Sequence, residues 1–189
     1  MRIRNKNLYL LSLGIIMLIS GCLTVERKEY HFKINPDGSG TGTIKFVNIV
    51  SVEDEETDVS IQDFQALIDD YLNGNVFEEQ NPGYQIVEKR LYEQDGILIG
   101  EIEFTFPNIE AAGFFRDNDC KCASYYYYLG SSLSETLIHT DGENLFEKYE
   151  IPVIRWQSDN KEFNLVTMVQ EDMENAHNLV ELYREWKKE

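Results

Sequence analysis

From residue 29 to residue 47 the chain alternates between apolar and polar positions. Tyr30, Phe32 and Ile34 fall on one face and Glu29, His31 and Lys33 on the other, the period of a half-buried strand. Asn35-Pro36-Asp37-Gly38 supplies turn residues. Gly42, Ile44 and Phe46, set against Thr41, Thr43, Lys45 and Val47, carry a second strand, so the first unit reads as a hairpin. At Ser60 the period changes. Ile61, Phe64, Leu67, Ile68, Tyr71 and Leu72 recur at helical spacing, Ser60-Ile61-Gln62-Asp63 has the form of a capping box, and Asn73-Gly74 supplies a stop. Asn81-Pro82-Gly83 resets the chain, and residues 84–92 and 97–106 flank Asp95-Gly96, a strong hairpin signal. Pro107-Asn108 closes this unit, and residues 109–115 read as a short helix.

The second half alternates less cleanly. Strands are expected at 125–128 and 133–139, with a turn at Asp141-Gly142 before Leu145. Pro152 makes 151–156 an edge strand or a strand start, and Ser158-Asp159-Asn160 turns it into 163–169. Met173, Ala176, Leu179, Val180, Tyr183 and Trp186 mark a C-terminal helix, with Glu171 and Asp172 at its start and Lys187 and Lys188 at its end, each favourable to the helix dipole. Nothing compels a βαβ crossover. The expected class is therefore α+β: a largely antiparallel sheet built from hairpins, with helices on one face and a C-terminal helix. No repeat or low-complexity linker interrupts residues 30–189, which read as a single domain.

Residues 1–22 follow a different pattern. Arg2, Arg4 and Lys6 precede an apolar run from 8 to 19 that ends at Ser20-Gly21-Cys22. The run is shorter than the roughly 20 apolar residues a spanning helix needs, and it has the form of a signal peptide over 1–21. Leu18-Ile19-Ser20-Gly21-Cys22 resembles the lipobox of bacterial lipoproteins. That resemblance implies cleavage before Cys22, a diacylglyceryl group on its sulfur, and acylation of the new amino terminus by chains such as palmitate. Two or three chains hold a protein at a membrane essentially permanently. Residues 22–29 are then a short lipidated tether, and the seven residues from Leu23 to Glu29 span at most about 25 Å. In a Gram-negative host, Leu23 after the cysteine implies sorting to the outer membrane, facing the periplasm. The Asp37-Gly38-Ser39-Gly40 hairpin adds a looser resemblance to bacterial lipoproteins that bring no activity with them.

Composition narrows the function classes. The chain has 189 residues, with 17 Lys+Arg against 34 Asp+Glu, a formal charge of −17. Because residues 1–21 hold three basic and no acidic residues, their removal leaves 168 residues at −20. A surface this acidic argues against nucleic acid and against electrostatic docking on anionic lipid, which leaves covalent lipid at Cys22 as the expected link to the membrane.

The remaining cysteines, Cys120 and Cys122, are a candidate disulfide of an exported protein. The closed ring would be very short, and free thiols remain an alternative. The three histidines, His31, His139 and His177, have no ligand spacing to that pair, and no metal or cofactor is expected. The stretch 35–41 carries oxygen ligands like the start of a calcium loop, but Phe46 occupies the twelfth position where a carboxylate is needed and both flanks read as strand. Its glycines do not open a helix, which excludes a phosphate cradle. The acidic run 53–58 reads as a solvated loop. Tyr125-Tyr126-Tyr127-Tyr128 places one pair of phenols inward and one outward, so Tyr126, Tyr128 and Trp156 form a candidate binding surface at a sheet edge. The expected function is a lipid-anchored cell-envelope module that binds or supports rather than catalyses. A hydrolase-like envelope enzyme assembled from distant residues, or an assembly partner using the aromatic edge for an envelope protein, are the alternatives.

Overall fold

The computed structural model describes residues 23–53, 57–117, 120, 122–129, 135–169 and 173–188. Strands β1 (Leu23–Ile34) and β2 (Gly40–Val52) form the first hairpin, and β3 (Gln85–Gln94) and β4 (Ile97–Phe106) the second. With β7 (Thr136–Thr140) and β10 (Glu162–Met168) they make one antiparallel sheet in the order β3-β4-β2-β1-β10-β7. The pairing of β2 with β4 stops at Val47 opposite Ile99. Beyond it, β11 (Ala176–Asn178) takes the vacant edge of β2 at Val50–Val52, giving seven strands. A smaller sheet follows the order β5-β6-β9-β8, from β5 (Phe114–Phe115), β6 (Tyr125–Tyr128), β8 (Glu143–Asn144) and β9 (Val153–Trp156).

One face of the large sheet is wet, and there Arg90 pairs with Glu101 and Glu103. The other face is covered in two parts. Over one end lie α1 (Ser60–Ala66), its π-helical continuation Leu67–Leu72, and the C-terminal helix Val180–Trp186, which close a core around Val25, Ile49, Phe64, Leu98, Leu179 and Tyr183. Over the other end lies the small sheet, with Phe32, Phe104, Phe114, Trp156, Phe163 and Leu165 packed between. Gly40 and Gly42 make this second core possible: a Cβ at either would sit 2.3 and 2.4 Å from the rings of Phe106 and Phe104, which rest directly on the strand backbone. Gly40 and Gly42 serve ring packing, while Gly38, at φ +88°, serves the turn. The antiparallel α+β class expected from the hairpins, with helices on one face and one at the C-terminus, is the fold observed.

Several local expectations change. β1 starts at Leu23, not near Tyr30, because Leu23–Val25 pair with Ser51–Ile49 and Arg27 with Met168. The segment expected as a tether is sheet from its second residue. The capping box does not form: Asp58 accepts from the Ser60 amide at 2.9 Å, while Asp63 turns inward to accept from Ser51 Oγ at 2.6 Å. Residues 109–115 hold a single 3-10 turn, Glu110–Ala112, before Gly113 at φ +80° releases Phe114 and Phe115 into β5. Met173 and Ala176 are not helical, since the open edge of β2 takes 176–178 as strand. Asn178 then caps Val180 N at 2.7 Å.

Candidate functional site

Between the two cores neither the helices nor the small sheet fully covers the large sheet, and a cavity of about 550 Å³ remains. Its floor is β1, β2, β3 and β4. The π-helical turn supplies Leu67, Tyr71 and Leu72, α2 (Val76–Gln80) supplies Phe77, and Tyr84 and Tyr127 close the far side. The lining is mainly apolar, with Val25, Ile44, Phe46, Ile49, Leu91 and Ile102 along it, and Gly100, opposite Phe46 and Leu91, leaves the floor open.

Two breaks in strand alternation build this site. At Asn48, φ +59°, β2 loses its regular pairing, and beyond it Val25 and Ile49 turn to the helix-covered core. In β3 the register shifts between Ile86 and Glu88, leaving Val87 exposed and setting Lys89 and Leu91 opposite Ile102 and Gly100. A bulge re-aims every following side chain to the other face. Lys89 thereby lies in the wall, where its ammonium donates to the Gly74 carbonyl at 2.5 Å and pairs with Glu78 at 2.9 Å.

The polar groups converge at one end. Glu135 receives the Lys28 ammonium at 2.5 Å, the Thr167 hydroxyl at 2.8 Å and the Tyr30 hydroxyl at 3.3 Å. Burial, followed by the Glu135 charge, pushes the Tyr30 phenol far above its ordinary range. Burial also lifts Tyr127, and lifts Tyr84 to about 12. Tyr84 is held flat on Phe104, with ring centroids 3.9 Å apart, and Tyr127 packs on Phe114 at 5.1 Å. Tyr127 and Tyr84 add to the rise at Tyr30, and Tyr84 adds to the rise at Tyr127. All three stay protonated at neutral pH. Tyr30 spends its proton on Glu135, whereas among the described residues no hydrogen-bond partner is found for the Tyr84 and Tyr127 hydroxyls.

The residues singled out in the sequence lie elsewhere. Cys22 is outside the described residues, but Leu23, which follows it, is in the cavity wall. Cys120 and Cys122 are joined as a disulfide. The candidate surface of Tyr126, Tyr128 and Trp156 does not hold together. Trp156 is buried at 2 % exposure, because its indole N–H reaches Asp141 at 2.5 Å and its ring packs on Phe114 and Phe163. Nor is this stretch a sheet edge: β6 lies between β5 and β9, and β9 between β6 and β8. Tyr126 stacks on Phe115 with centroids 5.4 Å apart, and Tyr128 is half exposed, so two aromatic faces remain outward.

His31 bonds Asn164 at 2.7 Å. His177 lies between Glu53 at 3.1 Å and Asp58 at 3.6 Å. Among the described residues no cluster with metal-holding geometry occurs, and no described helix is long and apolar enough to cross a membrane. The cavity residues Lys28, Tyr30, Tyr84 and Tyr127, and Glu135 beside them, carry no local motif. Each reads in the sequence as an ordinary strand or loop residue, and their convergence is tertiary. No protein-family model, curated protein or solved structure matches the chain.

Proposed function

We propose that this protein is a lipid-anchored bacterial cell-envelope module, of the lipoprotein class that Leu18-Ile19-Ser20-Gly21-Cys22 resembles, and that it works by binding a small ligand in the cavity between its two cores. One observation carries the binding reading. A volume of about 550 Å³ falls in the range of ligand sites, and a mainly apolar wall with a few convergent donors is how such sites hold and orient a ligand. The anchor rests on the sequence before Cys22 and agrees with a net charge that offers no basic surface for docking on lipid. With strand beginning at Leu23, acyl chains on Cys22 would hold the domain directly against the bilayer, and Leu23 in that position favours the outer membrane in a Gram-negative host.

Among the described residues lining the cavity, no nucleophile is paired with a base. Glu135 is occupied by Lys28, Tyr30 and Thr167, which supports binding over hydrolysis. The anchor is tested by Cys22→Ser in cells fed radiolabelled fatty acid. The label should disappear from the protein, and the protein should leave the membrane fraction. Retained label would remove the lipobox reading.

A further inference from the structure

The Cys120–Cys122 disulfide does little for the fold. A bridge between residues two apart closes a very short loop and removes little freedom from the unfolded chain. It also joins no two elements. Both cysteines lie in the loop between β5 and β6, and those strands are already held together by the pairing of Phe114 with Tyr127 and of Phe115 with Tyr126. Arg116 closes the same loop a second time, donating to the Tyr125 hydroxyl at 2.7 Å and to the Cys120 carbonyl at 3.4 Å.

Access and a stabilised leaving group are what the bridge does have. Cys122 is exposed and Cys120 half-buried. The Cys122 amide donates to Cys120 Sγ at 3.2 Å, and a hydrogen bond of this kind strengthens when the sulfur carries charge. Exposed disulfides are the ones open to exchange, and exchange is faster when the departing thiolate is stabilised. At the foot of the loop Phe115 stacks on Tyr126 with centroids 5.4 Å apart, and Phe115 is 46 % exposed. An open disulfide and an aromatic platform on one loop suit thiols carried by a polypeptide segment with apolar side chains.

We infer that Cys120 and Cys122 form a thiol–disulfide exchange site that oxidises dithiols in apolar polypeptide segments. A substrate thiolate attacks Cys122 Sγ, the sulfur–sulfur bond breaks, and its electron pair leaves on Cys120 Sγ, where the Cys122 amide holds it. The second substrate thiolate attacks the substrate sulfur of this mixed disulfide and expels Cys122 Sγ as a thiolate. The substrate loses two electrons and the bridge gains them, while the protons of the two substrate thiols pass through solvent to the two protein sulfurs. Reverse exchange with a small disulfide such as oxidised glutathione restores the bridge. The site is separate from the cavity and from Cys22, so it stands or falls apart from the binding and anchor readings.

The test uses the full chain in detergent, with alkylation and peptide mass spectrometry reading Cys120 and Cys122 separately from Cys22. Without denaturant, reduced glutathione should open the bridge and oxidised glutathione should close it. Of two synthetic dithiol peptides, one with Phe and Leu around its cysteines and one with Ser, the apolar one should be oxidised about tenfold faster, the equivalent of about 1.4 kcal/mol. Phe115→Ala/Tyr126→Ala should shrink that difference to about threefold or less, since one aromatic contact is worth that much. Given the peptide in its disulfide form, Cys120→Ser should capture it as a mixed disulfide at Cys122, and Cys122→Ser should capture about tenfold less at the half-buried Cys120. Both single-cysteine variants should melt close to the unaltered chain. A bridge that stays closed in reduced glutathione, equal rates for the two peptides, equal capture at both cysteines, or a large loss of stability in either variant would make the disulfide structural and overturn the proposal.

Discussion

Trp156 donates its indole N–H to Asp141 at 2.5 Å, and the same carboxylate accepts from the backbone and side-chain amides of Asn164 at 3.0 and 2.6 Å. One turn residue thus ties β9 of the small sheet to β10 of the large one. Removing it leaves a buried donor unmet, at about 1–3 kcal/mol. Asp141→Ala is expected to lower the unfolding free energy measured in urea by that amount and to shift the Trp156 emission. Gly142 beside it has no room for a methyl, since a Cβ would lie 2.6 Å from both Trp156 and Ile154. Gly142→Ala should cost a similar amount through overpacking. A melt unchanged in both variants would show that the two sheets are not joined here.

Ser51 and Asp63 form the corresponding tie at the other end, where Ser51 at 0 % and Asp63 at 2 % exposure share a 2.6 Å hydrogen bond between β2 and α1. Ser51→Ala strands a buried carboxylate and is expected to destabilise by about 1–3 kcal/mol. The double variant Ser51→Ala/Asp63→Leu should recover part of that loss, because replacing both partners by apolar groups removes the unmet charge. Chemical denaturation of the three proteins checks this.

Stability is expected to fall on the acid side. Burial raises the Glu101 carboxyl, but hydrogen bonds from Tyr92 and Arg90 and the charge of Lys45 outweigh it and hold the group below the ordinary 4.5. A hydrogen bond from Arg184 does the same for Glu93. Groups depressed in the folded state contribute stability that is complete above the ordinary carboxyl value and is lost as pH falls through the folded one. Urea midpoints should be flat from pH 7 to about 5 and decline below that. Glu101→Gln should lower the plateau and make the decline shallower; an unaltered slope would exclude this role.

The alkaline limb is governed by the tyrosines around the cavity. The folded state raises Tyr84 from 10.0 to about 12, with Tyr30 and Tyr127 above that. Groups raised in the folded state contribute stability that is complete below the unfolded value and is lost as pH rises through the folded one. Tyrosinate absorbance should show the exposed phenols titrating first and a late step coinciding with loss of circular dichroism. Tyr84→Phe should reduce that late step. A single smooth titration with the fold intact would contradict the burial of these rings.

The parts of the fold that the sequence made legible are those decided within a few residues. Alternation at Tyr30, Phe32 and Ile34 marked β1. Asp95-Gly96 marked the turn joining β3 and β4, both residues at positive φ in the structure. The helical period from Ile61 to Leu72 marked the cover of one core. Where the reading failed, a distant partner had overridden a local preference. Ala176–Asn178 fit a helix by spacing and became strand because the edge of β2 was open beyond Val47. Trp156, apparently on an edge, became core because its ring packs on Phe114 and Phe163 and Asp141 meets its N–H.

For the candidate site the division is sharper. The sequence by itself determined the run of basic then apolar residues ending at Cys22, the acidity that excludes a basic docking surface, and the antiparallel hairpin class, because each of these is a property of neighbouring residues or of their sum. Only the tertiary structure decided that a cavity exists and what lines it. Lys28 and Glu135 meet across 107 positions of chain, Tyr84 lies on Phe104, and Lys89 enters the wall through a bulge at Val87. Cavities arise where two separately packed cores fail to meet, and no local period records that failure.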